Sequence, residues 1–314
     1  MINNKEKNFI SAVLYVHNNE EELRSFLPQV FALLESAYDK FEIICVNDAS
    51  VDDSKKVIDT FSKQVNSAMI SVINMSTYQG IELSMNAGVD LTIGDFVYEF
   101  DSIFLDYDIN LILDIYRKAL EGYDIVSAVP EKTLGWSSKL FYKIFNKFSL
   151  SKTIIRQESF RVLSRRAINR VKSLNRTLVY RKAVYANCGL KETAVVYENK
   201  LRKRKLDNEE KVNRMEIATD SLILFTNAIQ KFSLYVSMIF LGITVVIGIY
   251  TWVSYFSTHK PVEGWTPLML FLSLGFFGMF LILTVTLQYL SVILRLIFKK
   301  REYLIESVEK ITNN

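Results

Sequence analysis

Cysteine is scarce in this sequence, and the two that occur suit neither a metal site nor a disulfide framework. Cys45 and Cys188 stand far apart, each in apolar surroundings. Structural metal sites need closely spaced ligands, and disulfide-rich folds need many cysteines in a short chain. We therefore expect two small core residues in a reducing compartment.

Signals for export and for nucleic-acid binding are also missing. The sequence does not open with a basic stretch followed by an apolar run, so we expect no cleavable signal peptide. The formal net charge is only +4 at pH 7, from 38 basic and 34 acidic residues. No recognition motif accompanies the basic residues, and we expect no nucleic-acid partner.

Charge is absent from two long stretches near the C-terminus. Half of the 314 residues are hydrophobic, and the mean hydropathy of +0.14 is high for a soluble protein. Residues 232–256 and 267–294 contain no charged side chain. Because each exceeds the roughly 20 residues needed to cross hydrocarbon, the sequence predicts two transmembrane helices with a short non-cytoplasmic loop at 257–266.

Basic residues set the expected orientation of these helices. Lysine and arginine cluster before the first stretch and after the second, whereas the loop offers only Lys260. Positive residues favour the cytoplasmic side. We expect a multi-pass protein of the inner (cytoplasmic) membrane with both termini in the cytoplasm, basic interfacial helices at 201–231 and a cytoplasmic tail at 295–314.

Residues 1 to about 130 alternate short apolar runs with helical stretches, the order typical of a mostly parallel sheet covered by helices. Residues 43–46 are too short a run for a helix and predict a buried strand. Polar residues follow at 47–53, and the carboxyl ends of buried strands are where open α/β sheets bind ligands. A loop that merely caps the next helix with an aspartate is the alternative. An earlier strand at 11–16 ends similarly, in His17-Asn18-Asn19.

These strand ends resemble those of family 2 glycosyltransferases, the inverting enzymes of the GT-A fold. The family's first strand commonly ends in Pro-x-Tyr-Asn-Glu, of which Asn18 is present. Its second commonly ends in Val-Asp-Asp-Gly-Ser-x-Asp, and the matching residues are Val46, Asp48, Ser50 and Asp52. Its Gly-x-x-x-x-x-Asn-x-Gly segment is represented by Gly80, Asn86 and Gly88.

The resemblance implies a Rossmann-like α/β fold of the GT-A type, with a mostly parallel sheet, helices on both faces and two transmembrane helices after it. It also implies a nucleotide-sugar donor, with a UDP-sugar favoured, whose base and ribose lie at the two strand ends. The donor-binding residues that it implies are Val16, Asn18, Asp48, Ser50, Gly80, Asn86 and Ser102.

Another polar cluster follows the strand predicted at 96–100. Family members carry Asp-x-Asp here, and the two carboxylates bind a divalent cation, Mg²⁺ or Mn²⁺, that bridges the donor diphosphate. Asp101 matches the first aspartate, whereas Ile103 occupies the second position. The resemblance therefore implies Asp101 as a catalytic residue and metal ligand, with Asp106 and Asp108 as nearby candidates for the missing carboxylate.

The segment from 132 to 182 is strongly basic, and Glu158 is its acidic residue. Within it, residues 136–150 are amphipathic, because lysines recur at positions 139, 143 and 147 opposite an aromatic face. A basic face opposite an aromatic one is typical of a helix that lies on anionic lipid. A core helix with a solvated lysine face is the alternative, and a nucleic-acid surface ranks last.

Residues 158–168 are similar to Gly-Asp-Phe-Arg-Leu-x-x-Arg, a segment of the polyprenyl-phosphate branch of the family, although Ser159 replaces its aspartate. The resemblance implies a catalytic Arg161 that pairs with a phosphate bidentately. The acceptor- or phosphate-binding residues that it implies are Arg161, Arg165 and Arg202. Solvated surface cations are the alternative.

Together these features predict a catalytic domain at 1–200 that moves a sugar from a nucleotide donor to a polyprenyl phosphate, with undecaprenyl phosphate favoured. A homo-oligomer is compatible with the sequence. A degenerate relative that binds a lipid or partner without catalysis is the main alternative, motivated by Asn19, Ile103 and Ser159. A transporter subunit is disfavoured, because spans without charged residues offer no transport path.

Overall fold

A computed structural model of the chain describes residues 5–65, 69–132, 135–149, 154–173, 180–199, 208–256, 264–297 and 303–311. They belong to two compact units. The first comprises Met1–Asn146, Ser151–Ala218 and Lys299–Asn314, and the second comprises Lys147–Leu150 and Thr219–Phe298.

Eight strands of the described residues form one sheet, in the order β7-β5-β6-β4-β1-β2-β3-β8. The strands are β1 (Ile10–Val16), β2 (Phe41–Asn47), β3 (Met69–Met75), β4 (Phe96–Phe100), β5 (Ile125–Pro130), β6 (Phe160–Ser164), β7 (Glu192–Tyr197) and β8 (Ile305–Ile311). Neighbouring strands pair in parallel except at β6, which is antiparallel to both β4 and β5, and at β8, which is antiparallel to β3. The predicted mostly parallel α/β sheet is confirmed.

Ten helices lie within the described ranges. They are α1 (Glu20–Ala37), α2 (Ser54–Ser62), α3 (Ile81–Leu91), α4 (Leu111–Leu120), α5 (Trp136–Phe148), α6 (Arg165–Ser173), α7 (Arg181–Ala186), α8 (Asn208–Phe225), α9 (Ala228–Phe256) and α10 (Trp265–Ile297). The three acidic residues at the start of α1 suit the positive end of the helix dipole.

Helices cover both faces of the sheet. Apolar residues of α1, α2 and α4 form one core with alternate residues of β1, β2 and β4. Phe26 of α1 is fully buried there, and burial of such a side chain contributes about 1.5–3 kcal/mol. On the other face, α3 comes so close that a Cβ at Gly88 would lie 2.4 Å from Val13 and 2.7 Å from Val46. Gly88 therefore allows α3 to pack closely on the sheet.

Strand β8 comes from the segment predicted as a tail. It completes the edge of the sheet beside β3, with Ile70 opposite Ile311 and Ile73 opposite Val308. The domain boundary predicted at residue 200 therefore does not enclose the whole sheet, because the last strand follows α10 in the chain.

The two apolar stretches form the long helices α9 and α10 of the second unit. Residues Lys231–Ser254 and Pro267–Ser291 are long and apolar enough to cross a membrane, by length and composition. Within this unit the rings of Phe240 and Phe280 stack with centroids 4.6 Å apart. The Ser233 and Thr284 hydroxyls are hydrogen-bonded at 2.8 Å, so the helices contact each other through both aromatic and polar groups.

Candidate active site

The turns after β1 and β2 are interlocked at the carboxyl edge of the sheet. The N–H of Asp48 donates to the carbonyl of the buried Val16 at 2.9 Å. The N–H of Asn18 donates to Ser50 Oγ at 3.2 Å, and the N–H of Val51 donates to Asn18 Oδ1 at 2.8 Å. Three predicted donor-binding residues, Val16, Asn18 and Ser50, are thus brought together, where they join the two turns.

Two residues of these turns adopt left-handed backbone conformations. Asn18 has φ 49° and Ala49 has φ 50°. Asparagine tolerates this region, whereas for other non-glycine residues it costs about 1–2 kcal/mol. Ala49 stands where the motif of similar glycosyltransferases carries glycine, so the conformation explains the preference for glycine there.

Asp48 is fully buried and holds a second loop against the turn. Its Oδ1 accepts the N–H of Gln79 at 2.9 Å, and its Oδ2 accepts the N–H of Gly80 at 2.8 Å and the hydroxyl of Tyr15 at 3.0 Å. Burial raises the pKa of Asp48, while the hydrogen bonds from Gln79 and Tyr15 oppose that rise. The carboxylate therefore positions the loop at 79–80.

The loop that Asp48 holds needs a glycine at position 80. Gly80 has φ 80°, a region that favours glycine. A Cβ on it would lie 2.5 Å from the side chain of Asn213 in α8.

The preceding Tyr78 faces His17 with ring centroids 4.5 Å apart, and the His17 Nδ1 atom lies 2.6 Å from the Asp48 carbonyl oxygen. An aromatic pair thus adjoins the two interlocked turns.

The other predicted donor residues lie on neighbouring elements. Asn86 is buried on α3. Ser102 is partly exposed after β4, and its Oγ accepts the N–H of Phe104 at 3.3 Å.

Asp101 is clamped by two arginines at the carboxyl end of β4. Arg161 Nη2 lies 2.7 Å from its Oδ2, and Arg181 Nη2 lies 2.6 Å from its Oδ1. Both guanidinium groups are almost fully buried, whereas 12% of the Asp101 side chain is exposed. Burial raises the pKa of Asp101, but Arg161 and Arg181 outweigh it and hold that pKa well below its usual range. Asp101 is therefore ionised at neutral pH.

The same arginines bind further acids, and the resulting ionic network joins α3, α7, β4 and β6. Arg181 Nε lies 2.9 Å from Glu82 and its Nη1 lies 3.0 Å from Glu99, while Tyr185 donates to Glu99 at 2.6 Å. Arg161 Nη1 lies 3.1 Å from Glu99, and its Nε lies 3.1 Å from Glu158. The network places two arginines among four carboxylates, those of Glu82, Glu99, Asp101 and Glu158.

A cavity of about 480 Å³ is lined by Arg161 and by residues of β5 and β7. Its lining includes the apolar Ile125 and Val129 and the cations Arg156 and Lys182. Glu192 also lines it, and burial followed by the charge of Glu158 raises the pKa of Glu192 to about 7. The lining of the cavity therefore combines apolar, cationic and acidic side chains.

A hydrogen-bonded chain connects Ser159 with a carboxylate. Tyr197 Oη lies 2.6 Å from Ser159 Oγ and donates to Asp106 Oδ1 at 2.9 Å. Asp106 is buried, and burial raises its pKa. Asp106 therefore accepts a hydrogen bond from Tyr197 and is joined through it to Ser159.

Comparison with known proteins identifies the fold and the enzyme class. The sequence model of "Glycosyl transferase family 2" matches residues 11–172, which is more than half of the chain. The chain belongs to glycosyl transferase family 2. It is a glycosyltransferase, and the family predicted from the strand-end motifs is confirmed.

Two individual relatives show how far the similarity reaches along the chain. An uncharacterized glycosyltransferase of Synechocystis sp. is 29% identical over 200 residues, and the matched region spans 62% of this chain and 62% of that relative. The bactoprenol glucosyl transferase of Shigella phage SfX is 26% identical over 270 residues, covering 83% of this chain and 86% of that relative. The resemblance to the polyprenyl-phosphate branch is thereby confirmed.

Solved structures agree on the fold. Glucosyl-3-phosphoglycerate synthase from Mycobacterium tuberculosis, in complex with Mn²⁺, UDP and phosphoglyceric acid, superposes with a TM-score of 0.51 at 16% identity. The superposition covers 69% of this chain and 78% of that protein. Similarity at this level confirms the GT-A-like architecture.

One predicted phosphate-binding residue of this family 2 chain, Arg165, is not brought to Asp101. Arg165 Nε donates to the Gly94 carbonyl at 2.8 Å, before β4 begins, whereas Asp101 follows its end. Arg202 lies outside the described residues. Arg161 is buried against carboxylates, which excludes the alternative that it is a solvated surface cation.

The ligand atoms that Asp101 offers fit a divalent cation whose other ligands come mainly from the phosphates of the substrate. Ile103 is buried, and the described residues contain no group of three His, Cys, Asp or Glu able to hold a metal by themselves. Mg²⁺ is commonly bound by one or two carboxylates together with substrate phosphates and water. Each Asp101 oxygen already accepts from an arginine but retains a second lone pair, so Asp101 can supply one ligand.

Sequence reasoning missed two members of the network, Arg181 and Tyr185. Neither residue belongs to the family motifs found in the sequence. Glu99 carried the available signal, because a charged residue inside the apolar run of β4 requires a buried partner.

Proposed function

We propose that this glycosyltransferase moves one sugar from a nucleotide sugar, with a UDP-sugar favoured, to a polyprenyl phosphate with inversion. The observation that carries the proposal is the similarity to the bactoprenol glucosyl transferase of phage SfX over 83% of this chain. Because the family match ends at residue 172, a similarity of that length also includes the region of the apolar helices.

The order of strands along the chain supports a cytoplasmic enzyme anchored by two spans. Helices α9 and α10 lie between β7 and β8 in sequence, yet β7 and β8 belong to one sheet. If both helices cross the membrane, the chain returns to the side from which it left. Basic residues before α9 and after α10 favour the cytoplasm for that side.

The interlocked turns suit the nucleotide of the donor. These turns lie at the carboxyl edge of the sheet, where open α/β sheets bind ligands. Tyr78, which packs against the buried His17, is partly exposed beside this edge and offers an aromatic surface for a base. Asp48 acts by holding the loop at 79–80, and Asn86 and Ser102 are the further donor contacts that we propose.

Sugar transfer needs little proton chemistry in this scheme. A phosphate oxygen of the lipid attacks the anomeric carbon while the bond from that carbon to the β-phosphate oxygen breaks, and the nucleoside diphosphate leaves. A phosphate monoester is already ionised at neutral pH, so the attacking group requires no strong base. A single in-line displacement inverts the anomeric carbon.

Charge on the leaving diphosphate is the main electrostatic demand of the reaction. Asp101 is the residue that we propose to hold a divalent cation, Mg²⁺ or Mn²⁺, which supplies positive charge to the diphosphate when bound. Arg161 and Arg181 keep Asp101 ionised and fix its orientation.

The cavity beside Arg161 suits the acceptor better than Arg165 does, because Arg165 bonds to the backbone before β4 begins. Its cations, Arg156 and Lys182, suit a phosphate, and its apolar lining residues, such as Ile125 and Val129, suit the first part of a lipid chain. Arg161 stands between this cavity and Asp101, so the proposed acceptor and donor regions adjoin each other.

Helix α5 is proposed to contact the membrane through part of its surface. Trp136 and Leu140 are exposed by 78% and 41%, and Lys139 and Lys143 are also exposed. Phe145, in contrast, is fully buried and lies 6.2 Å from the ring of Tyr180. The core packing that we considered as an alternative therefore applies to one side of the helix, and an interfacial surface remains on another.

Incubation of the purified full-length protein with undecaprenyl phosphate and a panel of nucleotide sugars tests the proposal. Each reaction is run with Mg²⁺, with Mn²⁺ and with chelator. We expect a lipid-linked sugar from one donor, and loss of product in chelator. A protein that binds nucleotide but yields no product from any donor supports the non-catalytic alternative instead.

A further inference from the structure

Leu304, which directly precedes β8, is hydrogen-bonded to the loop that Asp48 holds. The Gln79 side chain donates from Nε2 to the Leu304 carbonyl at 2.6 Å, and its Oε1 accepts the N–H of Leu304 at 2.8 Å. The backbone N–H of the same Gln79 donates to Asp48 Oδ1. One residue thus joins the C-terminal segment to the candidate donor site.

A second route runs from β8 through β3 to the turn after β2. Asn74 Nδ2 donates to Ser307 Oγ at 3.0 Å and to Glu309 Oε1 at 2.9 Å. Asn47 Nδ2 donates to Asn74 Oδ1 at 3.0 Å, and Asn47 Oδ1 accepts the N–H of Ser50 at 3.1 Å. Both adjacent residues of the turn motif, Asn47 and Asp48, are therefore linked to β8.

We infer that residues 304–309 are a working part of the nucleotide site. Gln79 and Asn74 are the positioning residues that connect this segment to the site. The inference rests on the proposed function, since it concerns the same donor site. A loop that orders only when ligand binds loses conformational entropy in the binding step. Hydrogen bonds from β8 order the 79–80 loop and the 47–50 turn beforehand, so they strengthen donor binding without touching the donor.

If the inference is correct, the proposed membrane anchor and the candidate donor site are connected along the chain. The segment that supplies Leu304, Ser307 and Glu309 follows α10 directly in the chain, so donor binding depends on the return of the chain from its apolar helices.

Two variants of the full-length protein interrupt the two routes separately. Gln79→Met keeps the side-chain length and removes both bonds to Leu304. The double variant Ser307→Ala and Glu309→Ala removes both acceptors of Asn74. Tyr303→Phe is the matched control, because it removes a hydrogen bond of the same segment to Asp90 of α3, away from the turn.

Three readouts compare these variants with the parent: UDP affinity by calorimetry in the presence of Mn²⁺, donor KM and kcat, and hydrogen exchange of the amides of Gln79 and Gly80. We expect about fivefold or greater loss of UDP affinity in each route variant, from the loss of two hydrogen bonds. Donor KM should rise with kcat nearly unchanged, and the two amides should exchange faster. The control should match the parent in all three.

Unchanged UDP affinity and unchanged exchange in both route variants would overturn the inference. An equal loss in Tyr303→Phe would also overturn it, because β8 would then act only on general stability. If the parent binds none of UDP, GDP, CDP or dTDP, the donor site itself is disproved and the inference falls with it. Melting temperatures identify any variant that fails to fold, and the other route variant then decides.

Discussion

The backbone of Ala49 adopts a left-handed conformation that its methyl group disfavours. Its φ of 50° is costly for alanine and free of strain for glycine. We predict that Ala49→Gly stabilises the protein by about 0.5–1 kcal/mol, after allowing for the greater unfolded-state entropy of glycine. Thermal unfolding of the purified protein should show a raised Tm.

The same substitution in a helix is the control for that prediction. Ala32 is exposed within α1, where Ala→Gly costs about 1 kcal/mol. Ala32→Gly should therefore lower the Tm. A lowered Tm in both variants would mean that the turn at Ala49 is not strained.

Asp101 is the residue on which the proposed chemistry depends most. We predict that Asp101→Asn lowers kcat about 10²-fold or more, the loss usual for a preorganised electrostatic group. Asparagine keeps the shape but turns an NH2 group toward one of the two arginines, so the Tm is measured as well, to separate lost turnover from lost stability. Steady-state transfer assays at saturating donor measure the effect.

Asp108→Asn is the control for Asp101→Asn, because it makes the same substitution at an exposed site. Asp108 is exposed, and its Oδ1 accepts the N–H of Asn110 just before α4. Its kcat should stay within about twofold of the parent, as expected for a surface substitution. Equal losses in the two variants would remove Asp101 from the site.

Some residues of the candidate site were predictable because short motifs fix backbone geometry. Asn18, Asp48, Ser50 and Gly80 occupy turns whose φ values and hydrogen bonds the motifs encode. Arg165 was not predictable in the same way, since β6 runs antiparallel to β4. Passing from Arg161 to Arg165 therefore leads from the carboxyl end of β4 to its amino end, which a motif match does not reveal.

At the scale of elements, the buried arginines hold α7 against the sheet. Arg181 is fully buried among Glu82, Glu99 and Asp101. Removing one partner of a buried ionic group typically costs about 3–5 kcal/mol, because the remaining charges stay buried without compensation. We predict that Arg181→Met strongly lowers the Tm in thermal unfolding.

An exposed pair provides the comparison for Arg181. Arg117 pairs with Asp114 on α4, and 71% of its side chain is exposed. Surface pairs contribute little to stability, so Arg117→Met should leave the Tm nearly unchanged. Comparable Tm losses in both variants would contradict the account of the buried network.

Helix α5 carries the prediction about the membrane surface. We predict that Lys139→Glu combined with Lys143→Glu weakens binding to anionic vesicles, because each basic residue near such a surface contributes about 1 kcal/mol. Transfer to lipid-embedded acceptor should fall more than UDP affinity does. Sedimentation with vesicles of phosphatidylglycerol measures the binding.

Two exposed lysines elsewhere control for the change in net charge. Lys7 and Lys40 are exposed on the first unit, and changing both to glutamate should leave vesicle binding nearly as it was. Equal weakening in the two double variants would mean that α5 has no special contact with lipid.

The strands of the first 130 residues could be predicted because each is a short apolar run, which is a local signal. Strand β8 could not, since its apolar residues recur at every third position instead of alternating, and its partner β3 lies more than 200 residues earlier. Edge pairing of that kind leaves no local signal. Arg181 escaped prediction for the same reason, because it reaches Asp101 only through the tertiary fold.

At the scale of the whole molecule, the chain builds seven strands, passes through two apolar helices and returns to add the eighth strand. This path places the proposed donor edge in the same sheet as the segment that follows the apolar helices. The strands of the first unit therefore lie on both sides of the proposed membrane anchor in the sequence, which suits the proposed soluble donor and lipid acceptor.

The choice of acceptor tests the central claim most directly. The purified protein, with its donor and Mn²⁺, is offered undecaprenyl phosphate, undecaprenol or a soluble sugar phosphate, and lipid products are identified by mass spectrometry. The account predicts rapid transfer to undecaprenyl phosphate alone, because its phosphate is already ionised, whereas an alcohol must lose a proton in order to attack. Transfer to undecaprenol at a similar rate, or transfer only to the soluble phosphate, would contradict it.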